Sequence, residues 1–110
     1  MISFENFTPE DGIPIYFQIV RHIKRGIAGG AVVDGDEVPS RRVLSALLGV
    51  NPNTIQKAYS ILEEEGLMTS HSGAKSYMSL ADGSIARVRE ELLQTDARKI
   101  VKALREIQLF

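Results

Sequence analysis

Arg41, Arg42, Asn53, Thr54, Gln56 and Lys57 place two guanidinium groups, two amides, a hydroxyl and an ammonium within residues 41–57. A guanidinium can grip a guanine edge or a phosphate with two parallel hydrogen bonds. Asn and Gln can pair with adenine, and Thr can reach a phosphate or a thymine methyl. An ammonium suits a phosphate. Each also has a plainer reading: the arginines as a solvated surface pair, Asn53 and Thr54 as helix caps, Lys57 as an exposed lysine.

Other chemistry has little to work with. There are no cysteines, so disulfides, thiolate metal sites and a cysteine nucleophile are excluded. The two histidines, His22 and His71, lie on different elements without a ligand partner at metal-binding spacing, so no metal is expected. No glycine-rich phosphate loop follows a strand and no serine nucleophile context is visible, so no catalytic residue, no cofactor and no enzyme activity are expected. Asp34, Asp36 and Glu37 read as a solvated acidic loop.

The elements that must carry these residues follow from period and punctuation. Residues 1–13 have no sustained period and read as an extended arm, with Pro9 and Gly12 as breakers. From Pro14, the isoleucines 15, 19, 23 and 27 recur every four residues, with Tyr16 and Val20 beside them, and Gly29-Gly30 stops this helix. Ser40 reads as an N-cap for a short helix to Leu48, with Val43, Leu44, Leu47 and Leu48 available for the core and Gly49 at its end. Asn51-Pro52 starts a further helix, in which Ile55, Tyr59 and Leu62 face the core and which Gly66 ends. Two short helices joined so tightly around a glycine form a helix-turn-helix. Met68-Thr69 and Tyr77–Leu80 read as two strands, with residues 71–75 as the loop of a wing.

Residues 84–110 are helical again. Ile85, Val88 and Leu92 make one apolar stripe; Ile100, Val101, Leu104 and Ile107 make another in a different register. Thr95-Asp96 offers a cap between them, so two helices with a bend near residue 96 are expected. This tail cannot form a core alone. Its stripes must cover the first domain or meet a second copy. The fold class is therefore mainly α with a small β-hairpin: an arm (1–13), a winged helix-turn-helix domain (14–80) and a two-helix C-terminal dimerisation tail (81–110).

The chain resembles the GntR family of bacterial regulators, in particular its small YtrA-like members. The resemblance rests on Pro14-Ile15-Tyr16-Phe17-Gln18-Ile19, Gly35-Asp36, Val38-Pro39-Ser40-Arg41-Arg42-Val43-Leu44-Ser45, Leu48-Gly49-Val50-Asn51-Pro52-Asn53-Thr54-Ile55-Gln56-Lys57-Ala58-Tyr59, and Leu62 with Glu65-Gly66-Leu67. It implies a dimeric reader of double-stranded operator DNA, often a repressor, with a DNA contact at the position of Arg42. The resulting site set is Ser40, Arg41, Arg42, Asn53, Thr54, Gln56, Lys57, Ser72, Gly73 and Lys75. Ile85, Val88, Leu92, Ile100, Val101, Leu104 and Ile107 are assigned to dimerisation. The wing departs from the family's Arg-Gly-x-Gly pattern: it reads Ser72-Gly73-Ala74-Lys75, so an arginine is lost and Lys75 stands in place of the second glycine.

Charge cuts the other way. The formal net charge is −1, whereas DNA binders usually carry a basic face. Residues 38–80 hold four bases and three acids, the acids being the block Glu63–Glu65 at the end of the second helix. That block opposes the helix dipole and would repel a duplex, so this end is expected to point away from DNA. A winged-helix module for protein partners is the competing reading, and a steep loss of DNA affinity with salt separates the two. A small-molecule effector is not identified, since the tail is too short for a dedicated pocket. The N-terminus lacks a signal-peptide pattern and no stretch is apolar enough for a membrane helix, so a cytoplasmic protein is expected.

Overall fold

The computed structural model describes residues 2–71, 75–81 and 83–108. The elements run α1 (Ile15–Gly29), β1 (Glu37–Val38), α2 (Arg41–Leu48), α3 (Pro52–Glu64), β2 (Met68–Ser70), β3 (Ser76–Met78) and α4 (Ser84–Glu106).

Helix α1 is the central wall. Its four-residue isoleucine repeat puts Ile19, Ile23 and Ile27 at 0–1% exposure, and α3 and α4 both pack on it. The arm docks on the same helix instead of standing free. Ile2 and Phe4 enter the core, and Phe4 and Phe7 stack around His22 with centroids 4.6 and 5.4 Å away. Gln18, buried in α1, closes the arm: its amide donates to the carbonyls of Glu10 and Ile13 and accepts from the Glu10 N–H. All its polar valences are met, so its burial is not penalised.

The helix-turn-helix forms as its caps dictate. The Ser40 hydroxyl accepts from the Val43 N–H at 3.2 Å. Gly49, at φ +67, returns its N–H to Ser45, a left-handed ending that glycine adopts without steric cost. The Asn51 side chain then accepts from the Asn53 N–H at 2.8 Å and opens α3. Of the four apolar residues of α2, only Leu44 is fully buried; Val43 and Leu47 are 57% and 66% exposed and Leu48 is half-buried. Eight residues make barely two turns, which gives a single-residue-wide stripe on α3 rather than four core positions.

The wing contains a strand the sequence did not reveal. The sheet order is β1-β3-β2, both pairs antiparallel, with Met68 opposite Met78 and Glu37 opposite Tyr77. The expected strand over Tyr77–Leu80 is shorter and one residue earlier, Ser76–Met78. The acidic loop is not merely solvated: the Asp34 carboxylate accepts from the Leu80 N–H at 2.7 Å, and Asp36 accepts from the Val33 N–H at 2.9 Å. These bonds fasten the turn that feeds β1.

The expected bend near residue 96 is absent. Helix α4 is continuous over 23 residues. The Thr95 hydroxyl donates to the Glu91 carbonyl one turn back, and Asp96 accepts from Arg25, so neither side chain caps a new helix. The two stripes differ in register because they face different things, roughly 120° apart around a helix of 3.6 residues per turn. Val88 and half-buried Leu92 pack on the core, whereas Ile100 and Ile107 are exposed. The tail is thus one helix, and arm, reader and tail share one core.

Tyr59 ties α3 to the approach of α2. Its ring is buried, and its hydroxyl donates to the Pro39 carbonyl at 2.6 Å. Burial pushes this phenol well above the ordinary tyrosine value, against a smaller opposing pull from Arg41. A raised pKa means the neutral form is favoured in the fold. Its stabilisation is therefore complete below about pH 10, the ordinary tyrosine value, and is lost as pH rises toward the folded one. Tyr59→Phe is expected to cost about 1 kcal/mol at neutral pH, one buried hydrogen bond, and to make the fall in stability above pH 10 shallower. Urea melts of both proteins from pH 7 to 11 check this; parallel curves would refute the assignment.

Candidate nucleic-acid interface

One edge of the molecule gathers the start of α2, the exposed side of α3 and the wing around a cleft of about 540 Å³, lined by Ser40, Arg41, Arg42, Pro52, Tyr59, Glu63, Ser70 and Lys75 among others. Ser40, Arg41, Arg42 and Lys75 of the expected set therefore converge, with Asn53, Thr54, Gln56 and Lys57 on the adjoining turns of α3. Asn53 and Lys57 are exposed, Thr54 and Gln56 half-buried. Ser72 and Gly73 lie outside the described residues.

The side chains differ in freedom. Among the described residues, Arg42 is exposed and has no acidic partner. Arg41 donates to the Gln56 carbonyl oxygen, and the Gln56 amide donates to the Ser60 hydroxyl at 2.9 Å. This chain of bonds orients Gln56 from both sides. The Lys57 ammonium sits 4.0 Å from the centroid of Tyr16, a cation–π contact that leaves its charge unneutralised. Lys75 is 3.6 Å from Glu37 across the sheet, so part of the wing's positive charge is already matched. Ser40 is committed through its hydroxyl to the α2 cap, where it takes the Val43 N–H.

Two features escaped the sequence. The acidic end of α3 is expected to point away from DNA, yet Glu63 stands at this edge. It lines the cleft with Arg42 and Lys75 and accepts from the Ser70 hydroxyl at 3.0 Å. Glu65 turns the other way, onto Lys24 at 2.7 Å. Glu63 and Glu65 thus serve different parts of the molecule, so the block cannot be treated as one charge. Lys24 itself is nearly buried, 6% exposed at the side chain, and is also held by Glu91 at 2.9 Å. Burial alone would lower its pKa; hydrogen bonds and charge from Glu65 and Glu91 outweigh that and hold it above the ordinary lysine value. The signal was available: Lys24 falls between Val20 and Ile27 at spacings of four and three, within the apolar stripe.

Comparison with known proteins agrees with this architecture. The model of the family described as "Bacterial regulatory proteins, gntR family" matches residues 15–77. Over 92 residues the chain is 36% identical to the HTH-type transcriptional repressor YtrA of Bacillus subtilis strain 168, an alignment covering 78% of this chain and 71% of that protein. A GntR family transcriptional regulator from Listeria monocytogenes superposes with a TM-score of 0.80 at 29% identity, over 93% of this chain and 90% of that one. AraR(DBD), solved in complex with operator ORR3, superposes with a TM-score of 0.57 at 27% identity, over 66% of this chain and 88% of that one.

A carboxylate inside a cationic cleft opposes any polyanion laid across it. Glu63→Gln keeps the size and an acceptor for Ser70 while removing the charge. It is expected to tighten binding to duplex DNA of any sequence by about threefold to tenfold at low salt, the effect of one like charge at close range. Glu64→Gln, which does not line the cleft, serves as the control. Equal affinities for Glu63→Gln and the unaltered protein would remove Glu63 from the interface.

Proposed function

This chain belongs to the gntR family of bacterial regulatory proteins, and from that premise we propose that it is a transcriptional repressor that binds an inverted-repeat operator as a homodimer. The observation that carries the reading is the edge just described: Arg42, Asn53 and Lys57 stand exposed at the starts of two capped helices, beside a wing. The start of α3 enters the major groove, where Asn53, Thr54 and Gln56 reach base edges. Arg41, Arg42 and Lys57 hold phosphates or a guanine edge, and Lys75, with Ser72 and Gly73, follows the backbone beside them.

The second half of the reading rests on α4. Leu93, Ala97, Ile100, Leu104 and Ile107 repeat at spacings of four and three, the seam of a helix that meets another helix. Leu93, Ile100 and Ile107 are 60–67% exposed, and Val101 beside them is 38% exposed. A second copy of the same helix covers this seam. Of the residues assigned to dimerisation, Ile100, Val101, Leu104 and Ile107 then meet the partner. Val88 is already buried within the chain, Leu92 packs partly on the same core, and Ile85, 38% exposed, lies at the margin. Two-fold symmetry matches two recognition helices to half-sites about one helical turn, or a multiple, apart. Occupancy of a promoter would exclude polymerase, and the place of action is the cytoplasm, where the DNA is.

Among the described residues no helix is long and apolar enough to cross a membrane and no side-chain cluster could hold a metal. The reading invokes neither, and no cofactor.

Selection from a random duplex pool at two salt concentrations tests the reading. Enrichment of an inverted repeat is expected. Arg42→Ala should lower affinity for it by about tenfold or more, as loss of a bidentate arginine contact does. Leu104→Glu should convert the sedimenting dimer to a monomer and abolish two-site binding. Absence of duplex binding even at low salt would overturn the DNA reading, and a wild-type monomer at micromolar concentration would overturn the dimer.

A further inference from the structure

We infer that Lys24 is a positioning residue that fixes the angle between the recognition helix and the tail helix, and through it the half-site spacing the protein accepts. The inference rests on the dimeric operator reading above.

Among the helices and strands, α4 packs on α1 alone; α3 packs on α1, α2 and β2. No side of α4 is in register with α3 except through α1. Lys24 lies on α1 at that passage. Its ammonium is 2.7 Å from Glu65, the residue that ends α3, and 2.9 Å from both carboxylate oxygens of Glu91 in α4. One buried cation thus holds one carboxylate from the reader and one from the tail.

The other α1–α4 contacts fix less. Val88 and Leu92 supply apolar burial, which is attractive but non-directional. The Arg25–Asp96 pair is a two-bond fork at 3.0 and 3.3 Å between side chains that are each about half exposed, and it ties the tail to α1 without reaching α3. Arg89 donates to the Ala28 carbonyl at the end of α1. Charge-assisted bonds from a nearly buried ammonium are both stronger and directional. They set where along α1, and at what tilt, the tail is seated.

A small tilt has a large consequence. From Glu91 to Glu106 the helix runs 15 residues, about 22 Å at 1.5 Å per residue. A rotation of about 10° at Glu91 moves the far end by about 4 Å, on the order of the 3.4 Å rise of one base-pair step. In a dimer joined along that far end, both half-site readers shift.

The test uses the full chain and duplexes carrying two copies of the selected half-site in inverted orientation, with the spacer varied in single base-pair steps. A duplex with one half-site gives the reference affinity for each protein. The wild type should prefer its best spacing over the neighbouring ones by about tenfold, since spacing is set geometrically. Glu91→Ala, which frees the tail from Lys24, should compress that preference to about threefold or less. Glu65→Ala, which frees the reader, should compress it as well. Glu90→Ala makes the same charge change one residue away, at a side chain that among the described residues pairs only with Gln94, and should keep the wild-type profile. Thermal melts confirm that all four proteins are folded at the assay temperature. A Glu91→Ala profile identical to the wild type overturns the inference and leaves the dimeric reading intact. A wild type with no spacing preference at all overturns both.

Discussion

Among the described residues, helix α1 is the one surface on which the reader, the arm and the tail all rest, and the burial of Ile19, Ile23 and Ile27 is the condition for each of them. At 0–1% exposure, each of these isoleucines contributes about 1.5–3 kcal/mol relative to leaving it in water, a large fraction of the stability of a domain this small. The arm gains its place because Ile2 and Phe4 have α1 to enter. The recognition helix gains its place because Ile55, Ala58 and Leu62 have the same wall to face. A helix loaded from several sides leaves little freedom for sliding, which holds the elements packed on it in fixed relative positions.

Local chemistry made the reader legible. Ser40 and Asn51 cap as their types require, Gly49 takes the left-handed turn between them, and the isoleucine repeat of α1 sets its buried face. Each is a short-range rule in which residue and consequence lie within four positions. The placement of Arg41 and Arg42 at the start of α2, and of Asn53 at the start of α3, followed from those boundaries alone. What escaped depends on partners far away in the chain. Strand β1 is two residues long and exists because β3, nearly forty residues later, pairs with it. Glu63, Glu64 and Glu65 are indistinguishable as a run of letters and are separated only by what packs beside them.

The tail shows why a break in register is not a break in structure. Two apolar stripes out of phase look like two helices when every stripe is assumed to face one core. In α4 the first faces α1 and the second faces outward, so the backbone continues while the side that is buried changes. Thr95 and Asp96, good capping residues by type, are spent within the helix and on Arg25 respectively. Capping residues mark a helix start only where the N–H groups of the turn that follows them lack partners.

The net charge of −1 is reconciled with a polyanionic partner by where the acids are used. Glu10, Glu37, Glu65, Glu91 and Asp96 are all within ion-pair distance of Arg21, Lys75, Lys24 or Arg25. Four of those five pairings lie around α1 and the tail, away from the starts of α2 and α3. Arg41, Arg42 and Lys57 enter none of these ion pairs, so the field at the reading edge is set by three unmatched cations and opposed chiefly by Glu63. Beyond a Debye length of about 8 Å at physiological salt, the rest of the chain's charge is screened from a phosphate at that edge. A near-neutral protein built this way has little pull on DNA at long range. Attraction at that edge is therefore a matter of close-range contact, where the placing of single charges such as Glu63 counts for more than the total.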